Sequence, residues 1–463
     1  KDGFRDLPTG NQFSMVNRYQ YNDSKGWMAQ MGIKVMKDNK TGGQTSFDPK
    51  QHQNSNSIYG LGINTNRYEG FAKIGYVFPQ KVYKSFGLQI AAINHDQDSY
   101  FGKTIYNANQ KSFYSNLIYQ SIIGNTNHKF RTGLSLQHDN YNELFNTTNY
   151  KRTETVAGAF FEYTYTASEK LSMVAGIRGD HNNLFGSFLT PRLHIRYEPF
   201  KGSIFRISAG RGQRTANIFA ENTSILVSAR QLNIIGAGTG KAYGLDPEIA
   251  WNRGISFDQS FRLFNRKASL AIDYFRNDFT NQVVTDLETT NEIRFYNLKG
   301  KSYSNSFQTE LSMEPISQLE VKLAYRFFDV KTTYSNQLLQ KPFVSQHRAF
   351  LSLDYTTGNN WKFNYTITYN GQKRIPSTLS NPIQFQREAM SPDFYLMAAQ
   401  ISKTVGKNKS MDFYVGAENL TNFFQQGVIV SAANPFGPYF DASLVWGPIN
   451  GRMLYAGWRM RLK

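Results

Sequence analysis

Polar and apolar residues alternate with a period of two along most of the chain. Trp361-Lys-Phe-Asn-Tyr-Thr-Ile-Thr-Tyr369 sets Phe363, Tyr365, Ile367 and Tyr369 against Asn364, Thr366 and Thr368. Leu454-Tyr-Ala-Gly-Trp-Arg-Met-Arg-Leu462 sets Leu454, Ala456, Trp458, Met460 and Leu462 against Tyr455, Arg459 and Arg461. Arg192-Leu-His-Ile-Arg-Tyr197 separates Leu193, Ile195 and Tyr197 from Arg192, His194 and Arg196. Side chains alternate between the two faces of a strand, so each such segment is a strand with one apolar and one polar face. Most run about 9–12 residues, which suits a tilted strand crossing a bilayer, whereas soluble strands average about 5–6.

The connectors alternate as well. Short ones fall at 22–26, 124–128, 166–170, 198–202, 314–318, 356–360 and 406–409, with slightly longer ones near 79–85 and 262–267. Between them lie longer polar stretches, among them 38–57, 97–110, 139–153, 211–248, 373–392 and 420–450. Short turns at one end and long loops at the other predict an all-β transmembrane antiparallel β-barrel, turns periplasmic and loops outside. The strands number about 19, from near 13–21 to near 453–462, where single-chain bacterial barrels have an even count. The expected whole is roughly 22 strands, with about three ahead of Lys1, so that residues 1–463 are one barrel domain lacking its N-terminal part. The rival soluble reading, a protein of repeated blades, requires a fixed repeat, and none is visible.

Composition narrows the class. The chain has 463 residues, no Cys, 36 Phe, 28 Tyr and 5 Trp, and a mean hydropathy of −0.50. No apolar run approaches the roughly 18 residues of a spanning helix. Without cysteine there are no disulfides, thiolate metal sites or cysteine nucleophiles. Lys1 opens into Asp2-Gly3-Phe4-Arg5-Asp6-Leu7-Pro8 without a signal-peptide core, as a processed or partial chain would. The formal charge is +18, from 52 basic and 34 acidic residues. The basic residues are scattered singly, which argues against a nucleic-acid partner.

Several stretches in order along the chain resemble TonB-dependent outer-membrane receptors. Thr190-Pro-Arg-Leu-His-Ile-Arg-Tyr197 is similar to their mid-barrel strand, and Gly210-Arg-Gly-Gln-Arg-Thr-Ala-Asn-Ile-Phe-Ala-Glu-Asn222 to the entry into a long loop. Leu245-Asp-Pro-Glu-Ile-Ala-Trp-Asn252, Tyr274-Phe-Arg-Asn-Asp-Phe279 and Tyr303-Ser-Asn-Ser-Phe-Gln308 follow. Gly416-Ala-Glu-Asn-Leu-Thr-Asn422 precedes the last loop, and Asp441-Ala-Ser-Leu-Val-Trp-Gly-Pro448 with Gly451-Arg-Met-Leu-Tyr-Ala-Gly457 resembles the closing strand. The ending Met460-Arg-Leu-Lys463 departs from the aromatic terminus usual in the family. The resemblance implies a 22-stranded barrel in the bacterial outer membrane, plugged by an N-terminal globular domain. It implies import of a scarce ligand (ferric siderophore, haem, cobalamin or similar), driven through a TonB-type inner-membrane partner that binds a segment ahead of the plug. Outer-membrane lipid and lipopolysaccharide, and a surface lipoprotein, are further expected partners. A passive porin of 16–18 strands and a non-transporting assembly or binding scaffold are the alternatives.

No enzyme constellation stands out: a Gly-x-Ser-x-Gly elbow, a His-Glu-x-x-His helix and a phosphate loop are all missing. No cofactor is expected. His95-Asp96 with Asp98, His138-Asp139 and Asp180-His181 invite a metal reading. Parity turns His95 inward but His138 and His181 outward, and ligands of one ion must converge, so no metal site is expected. Arg131, Arg178, Arg192, Arg196, Arg206, Lys322, Arg326, Arg459 and Arg461 have inward parity. A charge facing lipid costs about 2–4 kcal/mol, so this follows for any barrel. Beyond that, the basic face could hold a plug and lumen water or draw in an anionic ligand. Loop 211–248 is the candidate ligand contact, through Arg211, Arg214, Asn217, Glu221, Asn222 and Arg230, with a glycine-rich tip at 236–240. The competing reading has Arg214 to Asn222 bracing the lumen. Among the aromatics of 420–450, Phe436 and Tyr439 are ligand-platform candidates beside Phe423, Phe424 and Phe440, with an interfacial girdle as the alternative.

Overall fold

In the computed structural model, described for residues 2–53, 55–236, 240–406 and 410–460, alternating segments become long antiparallel strands. The first ten are β1 (Thr9–Asn22), β2 (Trp27–Gly43), β3 (Gly60–Val77), β4 (Ser85–Phe101), β5 (Thr104–Ile123), β6 (Asn125–Phe145), β7 (Thr148–Ser168), β8 (Leu171–Asn182), β9 (Gly186–Phe200) and β10 (Ser203–Arg214). Then come β11 (Gln231–Ile235), β12 (Glu248–Leu263), β13 (Arg266–Asn281), β14 (Val283–Asp286), β15 (Glu292–Asn297), β16 (Ser302–Ile316) and β17 (Leu319–Tyr334). The last are β18 (Gln337–Gln340), β19 (His347–Thr356), β20 (Trp361–Asn370), β21 (Phe394–Val405), β22 (Met411–Glu418) and β23 (Met453–Met460).

One sheet holds 20 strands. Setting aside β18, a short partner of β17, the remaining strands pair in chain order as one meander, the strand number read from the sequence. Among the described residues β1 pairs only with β2, and β23 only with β22. Arg461 and Leu462, the turn residues 407–409 and tip residues 237–239 lie outside the described residues.

The register puts one apolar row outside. Leu134 and Ile177 are 61% and 50% exposed, and Leu136, Leu189, Ile207 and Ile255 share that face. A soluble sheet would bury such a row, whereas a bilayer solvates it. No described helix is long and apolar enough to cross a membrane.

Two expectations about length change. Strands β5, β6 and β7 run 20, 21 and 21 residues, well beyond a bilayer crossing. The stretches 97–110 and 139–153, expected as loops, are hairpins that close at 102–103 and 146–147. Above the membrane both faces of a hairpin meet water or protein, so the alternation fades while the ladder continues. The turn expected over 262–267 narrows to Phe264 and Asn265, both at positive φ (52° and 60°), the backbone of a two-residue hairpin turn. Gly26 is needed for a different reason: at φ 95° a β-carbon would collide with the Val77 carbonyl.

The packed core sits among the loops. Strands β11 and β15 pair in parallel and β15 and β14 antiparallel, joining loop 211–248 to the loop after β13. Ile218, Phe219, Ile293 and Phe295 are almost fully buried there with Tyr106 and Leu226. The loops thus form a small folded cap.

The bilayer account predicts that Leu134→Arg destabilises the folded barrel in lipid vesicles by about 2–4 kcal/mol. Thr366→Arg, on the polar face, should stay within about 0.5 kcal/mol. Denaturant titration in vesicles measures both.

Candidate lumen-facing binding site

Beneath loop 211–248 the polar faces of β6 to β10 enclose a cavity of about 490 Å³. Its chemistry comes from alternate positions: Asp139 and Tyr141 on β6, Arg152 and Glu154 on β7, Arg178 and Asp180 on β8. Asp139 and Glu154 are buried and directly opposite, an arrangement that needs compensation because facing like charges repel. Glu154 accepts from Asn182 (2.7 Å) and Thr215 (2.6 Å), with Arg152 Nε at 3.7 Å. Asp139 accepts from Gln137 (2.6 Å) and from Ser112. Arg178 grips Asp180 through two nitrogens (2.8 and 2.6 Å) and donates to Ser135 (2.6 Å). Gly158 leaves the space for that pair, since a β-carbon there would collide with the Asp180 carboxylate.

Arg152 is the centre of the arrangement. Its guanidinium lies 3.8 Å from the Tyr141 ring centroid, 3.8 Å from Glu143 Oε2, and donates to Asn217 Oδ1. Glu143 accepts from Tyr106 (2.8 Å) and from Tyr243. Burial first, then the Glu143 charge, pushes the Tyr243 hydroxyl well above its ordinary value, so it stays a donor. Arg152 and Glu143 were missed in the sequence because 139–153 reads as loop. The signal was available: positions 139, 141 and 143, and 152 and 154, keep the inward parity of their strands.

The loop residues divide. Arg214 makes two 2.8 Å bonds to Glu221 and one of 2.7 Å to Glu248. The Asn217 amide donates to Glu221 (2.9 Å), and Asn222 holds the Ile218 carbonyl (2.8 Å). These bonds are internal, the geometry of a brace, with Arg214 and Asn217 also lining the cavity. Arg211 pairs in register with Trp251 and donates to the Leu189 carbonyl (2.6 Å) at the cavity edge. Arg230 is buried, bonding Asp441 (2.9 Å) and the carbonyls of Leu287 (3.0 Å) and Thr289 (3.2 Å), so it ties three loops together. Phe436 packs on Tyr59 under Lys103, and Tyr439 stacks on Phe385. Phe440 is buried against Tyr59, and Phe423 stacks on Phe394. These aromatics belong to the cap.

The lumen arginines are mostly neutralised on the wall. Arg192 pairs with Glu162, Arg196 with Glu198 and Arg206 with Asp258, while Arg459 stands opposite Asp412. Among the described residues Arg326 has no acidic partner. Of the histidines, His138 bonds Thr155 and His181 bonds Ser187 on the outer face, while His95 is half-buried.

A family model described as "TonB dependent receptor-like, beta-barrel" matches residues 1–420. The chain belongs to that family. It is an outer-membrane import-receptor barrel, not an enzyme, and membership implies a TonB-type partner. A search of curated proteins gave no match. Among solved structures, this receptor barrel is similar to the ferric-catecholate import receptor Fiu of Escherichia coli K12. They share 11% identity at a TM-score of 0.69, over 99% of this chain and 76% of that one. It is also similar to Pseudomonas aeruginosa FpvA bound to pyoverdine (11% identity, TM-score 0.68), over 98% of this chain and 65% of that one. The outer-membrane transporter YddB of E. coli is a third (10%, 0.67), over 97% and 69%. At such identities the likeness is one of fold.

Two outcomes are expected. Arg230→Ala leaves Asp441 buried without its cation and should cost the cap about 3–5 kcal/mol. Limited proteolysis should then cut near 225–235 and 287–295 while the barrel still migrates as a folded species on unheated gels. Gly158→Ala should break the Arg178–Asp180 clasp, read as loss of the Arg178 side-chain resonance shift in NMR of labelled protein.

Proposed function

We propose that this chain is the barrel part of an energy-coupled receptor that imports a scarce anionic chelate through the TonB system. The supporting observation is the cavity under loop 211–248, where three arginines (Arg152, Arg178, Arg214) meet three carboxylates on a lumen-facing wall, with Arg211 at its edge on the outward face beside Trp251. Capture occurs at the cap and this cavity, with Phe436, Tyr439 and the loop residues Glu221, Asn222 and Arg230 holding the mouth in shape. No bond is made or broken in the ligand. Of the proteins that share the fold, Fiu is described as a ferric-catecholate import receptor and FpvA is seen bound to pyoverdine.

Among the described residues the outer edges of β1 and β23 have no partner strand, which supports completion by further strands, because unpaired backbone N–H and C=O groups in hydrocarbon cost several kcal/mol each. A 22-stranded barrel with an N-terminal plug fits. The exposed apolar band meets outer-membrane lipid, with lipopolysaccharide at the level of the polar cross-strand pairs His138–Thr155 and His181–Ser187. A surface lipoprotein would dock on the cap.

The test is uptake of labelled ferric chelates by cells carrying the full-length receptor. Deleting the motor-binding segment ahead of the plug should abolish uptake. Unchanged uptake would sink the energy-coupled reading.

A further inference from the structure

The register brings two arginines face to face in two places on the inner wall. Arg196 and Arg206 are directly opposite each other, and each holds its own carboxylate, Glu198 and Asp258. Arg326 and Arg348 are also directly opposite, on β17 and β19, and neither has an ion pair or hydrogen bond among the described residues. Like charges directly opposite are destabilising, so the second pair is unbalanced where the first is neutralised. The Phe328 ring, 5.2 Å from the Arg326 guanidinium, does not supply the missing charge.

The surroundings add donors, and the acid nearest to them is already paired with a lysine. The pair lines a recess of about 220 Å³ with Gln308, Thr368, Ala324 and Phe350. Asn370 is opposite Arg348 on the next strand, and its amide nitrogen is buried without a partner, as is Arg326 Nε. Lys373 follows three residues after Asn370; its ammonium bonds the Trp446 carbonyl. Burial, then repulsion from Arg348, lowers the Lys373 pKa. The nearest acid on that face, Glu310, stands opposite Ala324 and is paired with Lys322 (3.1 Å), and along the row itself the next acid is Asp273, beyond Gln308 and two strands from Arg326, roughly 10 Å away.

We propose that the recess between Arg326 and Arg348 is an oxyanion-binding site, taking a carboxylate or phosphate-like group with at least two acceptor oxygens. Two facing guanidinium groups grip such a group from both sides, and the Asn370 amide and Gln308 supply neutral donors. The site lies on β16 to β20, apart from the cavity on β6 to β10, and stands whether or not the barrel imports. The oxyanion arrives either on a passing solute or on a carboxylate side chain of a polypeptide segment folded into the lumen.

The experiment uses the full-length receptor in detergent, with inorganic phosphate as probe, read by ³¹P line broadening and by thermal unfolding. Saturable phosphate binding that weakens about tenfold in Arg326→Gln or Arg348→Gln, and vanishes in the double variant, supports a solute-borne anion. Arg276→Gln, which removes a charge elsewhere, should leave binding unchanged. No phosphate binding, combined with a double variant less stable than the parent, supports a carboxylate already seated in the recess. Phosphate binding that survives in the double variant overturns the proposal. So does absence of binding with a double variant as stable as the parent or more so, since removing two unbalanced repelling charges then relieves the wall.

Discussion

Where the wall strands cross the bilayer they lie in a medium that cannot hydrogen-bond their backbone, and the rest of the structure follows from that. The continuous ladder from β1 to β23 satisfies N–H and C=O groups between neighbours, so the wall needs no internal core. Side chains are then sorted by a period of two alone. Outward positions meet lipid and become Leu, Ile, Phe and Tyr; inward positions meet water or protein and are free to hold charge. The packed hydrophobic interior shifts to the cap, where Phe219, Phe295 and Ile218 exclude water above the membrane.

The same sorting explains the charge. A barrel can place arginine only inside or at its rims, so an excess of basic residues is concentrated on the lumen wall. The wall answers most of it locally, with acids at i+2 on the same strand face (Arg178–Asp180, Arg196–Glu198) or across the ladder (Arg206–Asp258). What is left unanswered, at Arg326 and Arg348, is therefore informative, because the fold shows with Arg196 and Arg206 how it treats the same geometry when no external anion is needed.

The barrel was legible in the sequence because its two signals, alternation and connector length, are direct consequences of the membrane. Leu134, Ile177 and Trp458 point outward as their parity required. The extent of β6 and β7 was not legible, since the alternation of polarity stops at the bilayer surface while hydrogen bonding does not. The cavity was half legible. Arg178 and Arg214 were marked by parity and by loop position. Arg152 and Glu143 were hidden because a polar hairpin and a polar loop have the same composition. Nor does composition show that Arg230 would be buried, because its partner Asp441 lies 211 residues away.

The most direct test of this account uses the absence of cysteine, which makes the chain a clean background for single-cysteine spin labels. Labels placed one by one from 130 to 145 report accessibility to oxygen, which concentrates in lipid, and to a water-soluble relaxation agent. The account predicts strict period-two alternation through Leu134, Leu136 and His138, with even positions in lipid, then loss of lipid exposure beyond 140 while mobility stays low as the hairpin continues. A profile without alternation over 130–138, or high mobility over 140–145, would contradict it.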